Sequence, residues 1–301
     1  MKRFRGFSLF LLVFFIVAIV ASVPTEAAPR PQSLPIAVFV GIAPHLEFCQ
    51  RIGDRRIRAE ILLPAGRSPA LYAPTPDRIR ALSQARLYFT LGLPFEKRLL
   101  EKLKQLPRHP EIIDLQAGIK LRAMQQSATA ATSPRTALSH PDPHTWLDPR
   151  LASHQAAIIA AALTRIDPGG KSFYAANLRN LQRELEELDR KLRQTLKPLA
   201  GSTLLVYHPA FGYFAAAYGL RQLAVETEGK APKGKALSRL ISRARREKVK
   251  VVFVQPQFDR RSAATIAAAI DGTVIAIDPL ARDYCANLFR IATAIRQHLQ
   301  P

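Results

Sequence analysis

Short runs of β-branched and aromatic residues alternate with helix-length segments along this chain, and that alternation restricts the choice of fold. The runs form an early set of four, Ile36–Ile42, Arg58–Leu63, Ala85–Leu91 and Glu111–Leu115, and a late set of four, Thr203–Tyr207, Arg221–Thr227, Val249–Gln255 and Thr273–Ile277. Strands that alternate with helices favour parallel sheets covered on both faces. The sequence therefore predicts an α/β protein of two lobes, each a mostly parallel four-stranded sheet flanked by helices.

A long amphipathic segment separates the two sets of strands. Its leucines recur at intervals of three and four residues, at Leu178, Leu181, Leu185, Leu188 and Leu192. This spacing predicts one continuous helix, which Pro198 ends; a coiled coil is the weaker alternative, because the leucine stripe is short. The 301 residues have room for two lobes. We predict an N-terminal lobe over residues 33–170, a rigid linking helix over 171–198 and a C-terminal lobe over 199–301.

The first 28 residues have the pattern of a secretory signal peptide. Lys2, Arg3 and Arg5 precede an uninterrupted apolar run over residues 9–21, and small residues follow it. An uncleaved membrane anchor is the alternative, but the apolar stretch only reaches the lower limit of the about 17 to 25 residues that cross a bilayer. No cysteine follows the run in a position for lipid attachment. We expect the mature protein to be free in the periplasm.

The chain has two cysteines, Cys49 and Cys285, near opposite ends of the mature sequence. There is no C-x-x-C pair, which excludes a redox motif and a cysteine zinc knuckle. Sequence distance alone leaves open whether the two thiols pair, since a disulfide needs Cα atoms within about 7 Å. We expect buried, unpaired cysteines.

Histidines and acidic residues lie where predicted strands end. His208 directly follows one late strand, Glu226 and Glu228 lie at or just beyond the end of the next, and Asp278 follows the last. In the first half, His45 follows the first strand and His144 lies in a proline-bracketed loop after the surface loop of residues 124–141. Imidazoles with carboxylates suit zinc, manganese or iron. These residues converge only if the two lobes face each other across a cleft.

The common signatures of enzymes are missing from the sequence. It has no H-E-x-x-H, no G-x-S-x-G and no G-x-G-x-x-G after a strand. A metal-dependent hydrolase needs a general base beside an open metal position, a role open to Glu47 or Glu228, but no motif supports it. We predict a protein that is not an enzyme and has no organic cofactor.

Three sets of motifs occur in order along the mature chain. Residues 142–149 read Asp-Pro-His-Thr-Trp-Leu-Asp-Pro, residues 207–214 read Tyr-His-Pro-Ala-Phe-Gly-Tyr-Phe, and residues 254–258 read Val-Gln-Pro-Gln-Phe ahead of Asp-Pro-Leu at 278–280. Together they resemble the zinc/manganese family of periplasmic metal-binding proteins that serve ABC importers. The resemblance implies a metal in the cleft between two lobes, and delivery of that metal to an inner-membrane permease with little domain closure.

The resemblance also implies a set of ligands. His144 and His208 match ligand histidines, and Asp278 would supply a carboxylate from the second lobe. Glu228 lies where manganese-type members carry a glutamate ligand. Zinc ranks first as the transported divalent metal, narrowly ahead of manganese and iron. We expect a monomer.

One position departs from the family pattern. The loop after the second strand usually carries a histidine after a Ser-Pro pair, but here Ala70 follows Ser68 and Pro69. His45, Glu228 or a water would have to replace that ligand. The alternative is a degenerate member with weak or no metal binding, which acts as an interaction or adhesion module or binds another ligand.

The formal net charge of +21 raises nucleic acid or an anionic membrane as partners. Export makes nucleic acid an unsuitable partner, and no aromatic-plus-basic stacking motif supports one. The basic clusters are interpreted as solvated helix faces and turns, with weak attraction to anionic lipid headgroups as their remaining effect.

The purified mature protein should therefore sediment with vesicles that contain anionic lipid at low salt, and far less at high salt, because salt screens surface charges. Vesicles of zwitterionic lipid are the control. No binding at low salt, or binding that salt does not weaken, would contradict this expectation.

Overall fold

Two four-stranded sheets of the same topology form the framework of the protein. The computed structural model describes residues 34–124, 141–226 and 230–299, so the predicted signal peptide and Glu228 lie outside the described residues. Within this part of the chain the strands are β1 Ile36–Val40, β2 Ile57–Ile61, β3 Leu87–Thr90, β4 Glu111–Asp114, β5 Thr203–Val206, β6 Arg221–Ala224, β7 Val251–Val254 and β8 Thr273–Ala276. Each lies within a predicted run or one residue outside it, and the predicted fold class is confirmed.

The strand order is β2-β1-β3-β4 in the first sheet and β6-β5-β7-β8 in the second. All of these strand pairs are parallel. In both sheets the order reverses beside the first strand of the lobe, and such a switch point opens a crevice at the carboxyl ends of the strands. His208 lies just beyond the carboxyl end of β5 at that point.

Helices cover the sheets. They are α1 Ala43–Gly53, α2 Pro76–Ser83, α3 Pro94–Leu103, α4 Pro149–Ile166, α5 Lys171–Leu196, α6 Gly212–Ala217, α7 Lys235–Arg246, α8 Arg260–Ala269 and α9 Tyr284–His298. Short 3-10 turns occur at Asp54–Arg56, Thr145–Leu147, Pro168–Gly170 and Lys197–Leu199. None of the helices in the described ranges is long and apolar enough to cross a membrane.

Prolines mark the first turn of the helices in the first lobe. Pro76 and Pro149 open α2 and α4 directly after the caps Thr75 and Asp148, whose side chains accept backbone N–H bonds from the first turn. Proline suits this position because its fixed φ matches the helix and its missing N–H has no partner there anyway. The Asp148 cap sets where α4 begins, and thus where the loop that carries His144 ends.

Helix α5 is the predicted linking helix and runs for 26 residues, about 39 Å at 1.5 Å per residue. The predicted stripe is buried at Leu181, Leu185, Leu188 and Leu192, whereas Leu178 is half-buried. The helix packs against α1 and α4 of the first lobe and against α9 of the second. Its apolar stripe is thus covered by both lobes, which explains why the segment is a packed helix and not an exposed coiled-coil strand.

The main hydrophobic core includes residues from both lobes. Trp146 is buried in it, and its indole Nε1 donates to the backbone oxygen of Pro279 at 2.9 Å. The hydroxyl of Tyr284 donates to the backbone oxygen of Trp146 at 2.6 Å. A second apolar cluster fills the other face of the second sheet, beneath α7 and α8. The shared core joins the lobes on the side of the linking helix.

Both cysteines are free thiols, as predicted. Cys49 is buried on α1, and burial raises the pKa of its thiol. Cys285 on α9 is only half-buried, so the expectation of burial holds for one cysteine and not the other.

Candidate metal centre

A small cavity lies between the two lobes, near the carboxyl ends of strands from both sheets. Its volume is about 60 Å³. Most of its wall is apolar and is made by Pro69, Leu93, Pro94, Trp146, Phe258 and Leu280. The cavity has room for an ion with a few waters, and is far smaller than the about 300 Å³ or more of sites for organic ligands. His144 from the first lobe and His208 from the second both line it.

The turn before helix α4 fixes the position of His144. Asp142, which is buried, accepts two hydrogen bonds through Oδ1: one from the backbone N–H of His144 at 3.0 Å and one from its ring Nδ1 at 2.7 Å. The Tyr213 hydroxyl of the second lobe donates to the backbone oxygen of Asp142 at 3.3 Å. Backbone and ring of His144 are therefore held by the carboxylate of Asp142, and the backbone of Asp142 is held from the other lobe.

Strand β5 delivers His208, and the residue after β7 clamps it. The Gln255 side chain accepts from the backbone N–H of His208 at 3.1 Å and donates to its backbone oxygen at 2.9 Å. Phe258 stacks on the imidazole with ring centroids 4.9 Å apart. Ring Nδ1 of His208 donates to the buried carboxylate of Glu226. Both histidines thus have a carboxylate partner at Nδ1.

The two imidazoles meet through their other nitrogens. Nε2 of His144 and Nε2 of His208 are 3.3 Å apart. A carboxylate partner at Nδ1 fixes the proton on that nitrogen, so each Nε2 presents a lone pair. Burial lowers the pKa of His208, and the neighbouring His144 lowers it further against the opposing effect of Glu226. Two imidazoles whose Nε2 lone pairs face each other form a site for a cation.

The other predicted ligands are placed differently. Ala70 lines the same cavity, so the position where the family pattern has a histidine does face the two imidazoles. Asp278 is half-buried, and its Oδ1 accepts from Gln257 Nε2 at 3.1 Å and from the Leu280 N–H at 2.9 Å. Across residues 34–124, 141–226 and 230–299, no three His, Cys, Asp or Glu side chains gather at one point.

His45 lies in the core and does not line the cavity. It is fully buried on α1, where Nε2 donates to Gln155 Oε1 on α4 at 2.9 Å, and its ring makes edge contacts with Phe48 and Trp146. Its Nδ1 has no hydrogen-bond partner. His45 thus lies apart from the two cavity histidines, because the helix that begins after β1 turns this face of α1 toward α4 and away from the cleft.

The sequence places Glu226 among the candidate acidic residues at the strand ends, but it assigns an orienting role to neither Glu226 nor Asp142. For Glu226 the signal is register: Val206 pairs with Ala224 at the ends of β5 and β6, and His208 and Glu226 each lie two residues beyond these ends. For Asp142 the signal is its position two residues before His144, a spacing at which aspartate hydrogen-bonds to the following backbone.

The chain is similar to known proteins over most of its length. Residues 38–298 match the family described as zinc-uptake complex component A, periplasmic. A high-affinity zinc uptake system protein ZnuA of Bacillus subtilis is 26% identical over 89% of this chain and 86% of its own. A putative metal-binding protein of Chlamydia muridarum is 29% identical over 95% and 98%. A crystal structure of ZnuA superposes with a TM-score of 0.81 and 36% identity, covering 88% of this chain and 100% of that one.

The burial of His45 makes stability depend on pH. Desolvation lowers its pKa from 6.5 to about 4, so between these values the unfolded chain binds a proton that the folded chain does not. Folding stability should therefore fall as the pH drops from 6.5 to 4, with a contribution from His45 of about 3 kcal/mol. The test compares urea unfolding of wild type and His45→Gln at pH 7 and pH 4.5.

The variant should lose less stability than wild type over this interval. His154→Gln, which removes an exposed histidine, is the matched control. If wild type and His45→Gln lost the same free energy of unfolding between pH 7 and pH 4.5, His45 would not be the source of the pH dependence.

Proposed function

We propose that this chain, which belongs to the family of periplasmic zinc-uptake components, captures a divalent transition metal in the interlobe cleft. It then delivers the metal to an ABC permease. The family consists of substrate-binding proteins for ABC import of zinc or manganese. The metal is cargo, held reversibly. The degenerate, non-binding alternative has Ala70 as its main support and is not favoured by the comparisons.

One observation carries the proposal: the two Nε2 atoms are 3.3 Å apart. Two nitrogens that bind the same tetrahedral zinc ion at the usual 2.0–2.1 Å lie about 3.3–3.4 Å from each other. An ion inserted between these lone pairs needs little movement of either ring. The ion also removes the repulsion between the two lone pairs. The two histidines therefore provide two of the four ligands of a tetrahedral site in nearly the required positions.

We assign His144 and His208 as ligands, with Asp278 as the carboxylate ligand from the second lobe. Asp278 has to leave Gln257 or use its second oxygen to reach the ion. Water fills the position that Ala70 leaves open. Glu228 remains a weaker candidate, and the core location of His45 counts against it as a replacement.

Zinc is the proposed cargo, ahead of manganese and iron, because two imidazoles are nitrogen donors and manganese prefers oxygen. We further propose that the mature protein is a periplasmic monomer without enzymatic activity or organic cofactor, and that its partners are the metal and the inner-membrane permease. The small volume of the cavity supports an ion, and not an organic molecule, as the ligand.

Chelator-stripped protein should bind about one equivalent of zinc at micromolar concentration, and the double variant His144→Ala/His208→Ala should bind it at least about 100-fold more weakly, a loss of about 2.7 kcal/mol or more. Isothermal titration calorimetry measures both. His154→Ala, which alters an exposed histidine bonded to the Ala117 backbone, is the control.

If wild type binds neither zinc nor manganese, the degenerate alternative gains support. If the double variant binds as tightly as wild type, the metal lies elsewhere.

The carboxylates of Asp142 and Glu226, which orient the two histidines, should contribute to zinc affinity nearly as much as the ligands do. We expect Asp142→Asn and Glu226→Gln each to weaken zinc binding by about 10- to 100-fold, because a neutral amide no longer fixes the Nδ1–H tautomer and lowers the basicity of Nε2. Competition with a fluorescent zinc chelator gives the affinity. Asp259→Asn, which alters the cap of α8, is the control. Unchanged affinity in both variants would show that the imidazoles bind without these partners.

A further inference from the structure

The cavity contains a sulfur donor that the family pattern does not require. Met124 lines it together with His144, His208 and Ala70. The polar side chains among the other lining residues are already engaged: Ser68 with the Ala70 N–H, Gln255 with the His208 backbone, and Gln257 with Asp278. Of the described side chains that line the cavity, the donors suited to a transition metal are therefore two imidazoles and one thioether.

Backbone contacts hold the Met124 segment next to the histidine turn. Ala123 forms an antiparallel bridge with Pro141, and the N–H of Asp142 donates to the backbone oxygen of Arg122 at 2.8 Å. The N–H of Arg122 donates to the Tyr213 hydroxyl at 2.9 Å. The same hydroxyl donates to the backbone oxygen of Asp142, so Tyr213 of the second lobe contacts both the segment that carries Met124 and the residue that orients His144.

Thioether sulfur is a soft, uncharged ligand that favours Cu(I), whereas zinc binds sulfur chiefly as a charged thiolate and manganese prefers oxygen donors. Three further properties of the cavity point the same way. Ala70 removes a nitrogen donor, the carboxylate of Asp278 is engaged outside the histidine pair, and the walls are mostly apolar. A singly charged ion loses less hydration energy than a doubly charged one on entering an apolar cavity.

We propose that this cleft also binds Cu(I), through Nε2 of His144, Nε2 of His208 and the sulfur of Met124. The inference rests on the proposed function only in its use of the two histidines. It adds a cargo of a different class: a soft monovalent ion, for which Met124 takes the place of the missing histidine ligand. Met124 is then a specificity-determining residue: its sulfur contributes strongly to the affinity for Cu(I) and little to the affinity for zinc.

The test is an anaerobic competition titration of Cu(I) against bicinchoninate, with wild type and Met124→Leu. Leucine keeps the apolar volume and removes the sulfur. Both proteins carry Cys285→Ser, because the half-exposed thiol would bind Cu(I) by itself. We expect the substitution of Met124 to weaken Cu(I) binding by about tenfold or more and zinc binding by less than about threefold.

A second readout reports the sulfur directly. The chain contains two methionines, Met1 and Met124, so methyl-¹³C methionine gives at most two signals, and Met124→Leu identifies one of them. One equivalent of Cu(I) should shift the Met124 methyl signal, and zinc should leave it near its position in the metal-free protein.

The outcomes separate the two proposals. Equal Cu(I) affinity of wild type and Met124→Leu, or a Met124 signal that Cu(I) does not shift, would overturn the copper inference while zinc binding stands. A lack of zinc binding together with Met124-dependent Cu(I) binding would overturn zinc as the cargo and leave the copper site. Loss of both metals in Met124→Leu, with an unchanged circular dichroism spectrum, would contradict a role of Met124 in selectivity.

Discussion

The separation of the two lobes is the constraint on which the candidate site depends. His144 and His208 belong to different lobes. The distance between their Nε2 atoms is therefore fixed only if the two lobes cannot move relative to each other. Helix α5 packs against helices of both lobes, and Trp146 of the first lobe hydrogen-bonds to Pro279 of the second. Packed interiors resist small displacements, since side chains there interdigitate with few voids. The shared core therefore sets the size of the cleft before any ion arrives.

Much of the fold was predictable because its signals are local. Strand runs, helix caps and the leucine stripe of α5 each depend on residues close in sequence, and the alternation of strands with helices selects parallel sheets. Predicted strands extend beyond the observed ones, as for Val249–Gln255 against Val251–Val254, because the flanking apolar and polar residues lie outside the paired ladder.

The site was less predictable because it depends on contacts between distant segments. The pairing of Glu226 with His208 needs the register of two strands, and the buried position of His45 needs the angle at which α1 leaves its strand. Met124 is a single apolar residue with no motif around it, and contacts with distant residues, the bridge of Ala123 with Pro141 and the hydrogen bonds of Arg122, bring it to the cleft. The segment around His144 was easier to interpret from sequence, because the turn, the cap of α4 and the candidate ligand all lie within the eight residues 142–149.

The continuous linking helix has a consequence for the time an ion stays bound. Proteins that close around a ligand by a hinge release it at a rate limited by domain opening. Here the apolar stripe of α5 is covered by both lobes, so bending it would expose leucines from Leu181 to Leu192. Residence time in such a protein is controlled by ligand exchange at the metal itself. A receptor that takes the ion must then compete for it with donor atoms of its own, or loosen the carboxylate contacts behind the histidines.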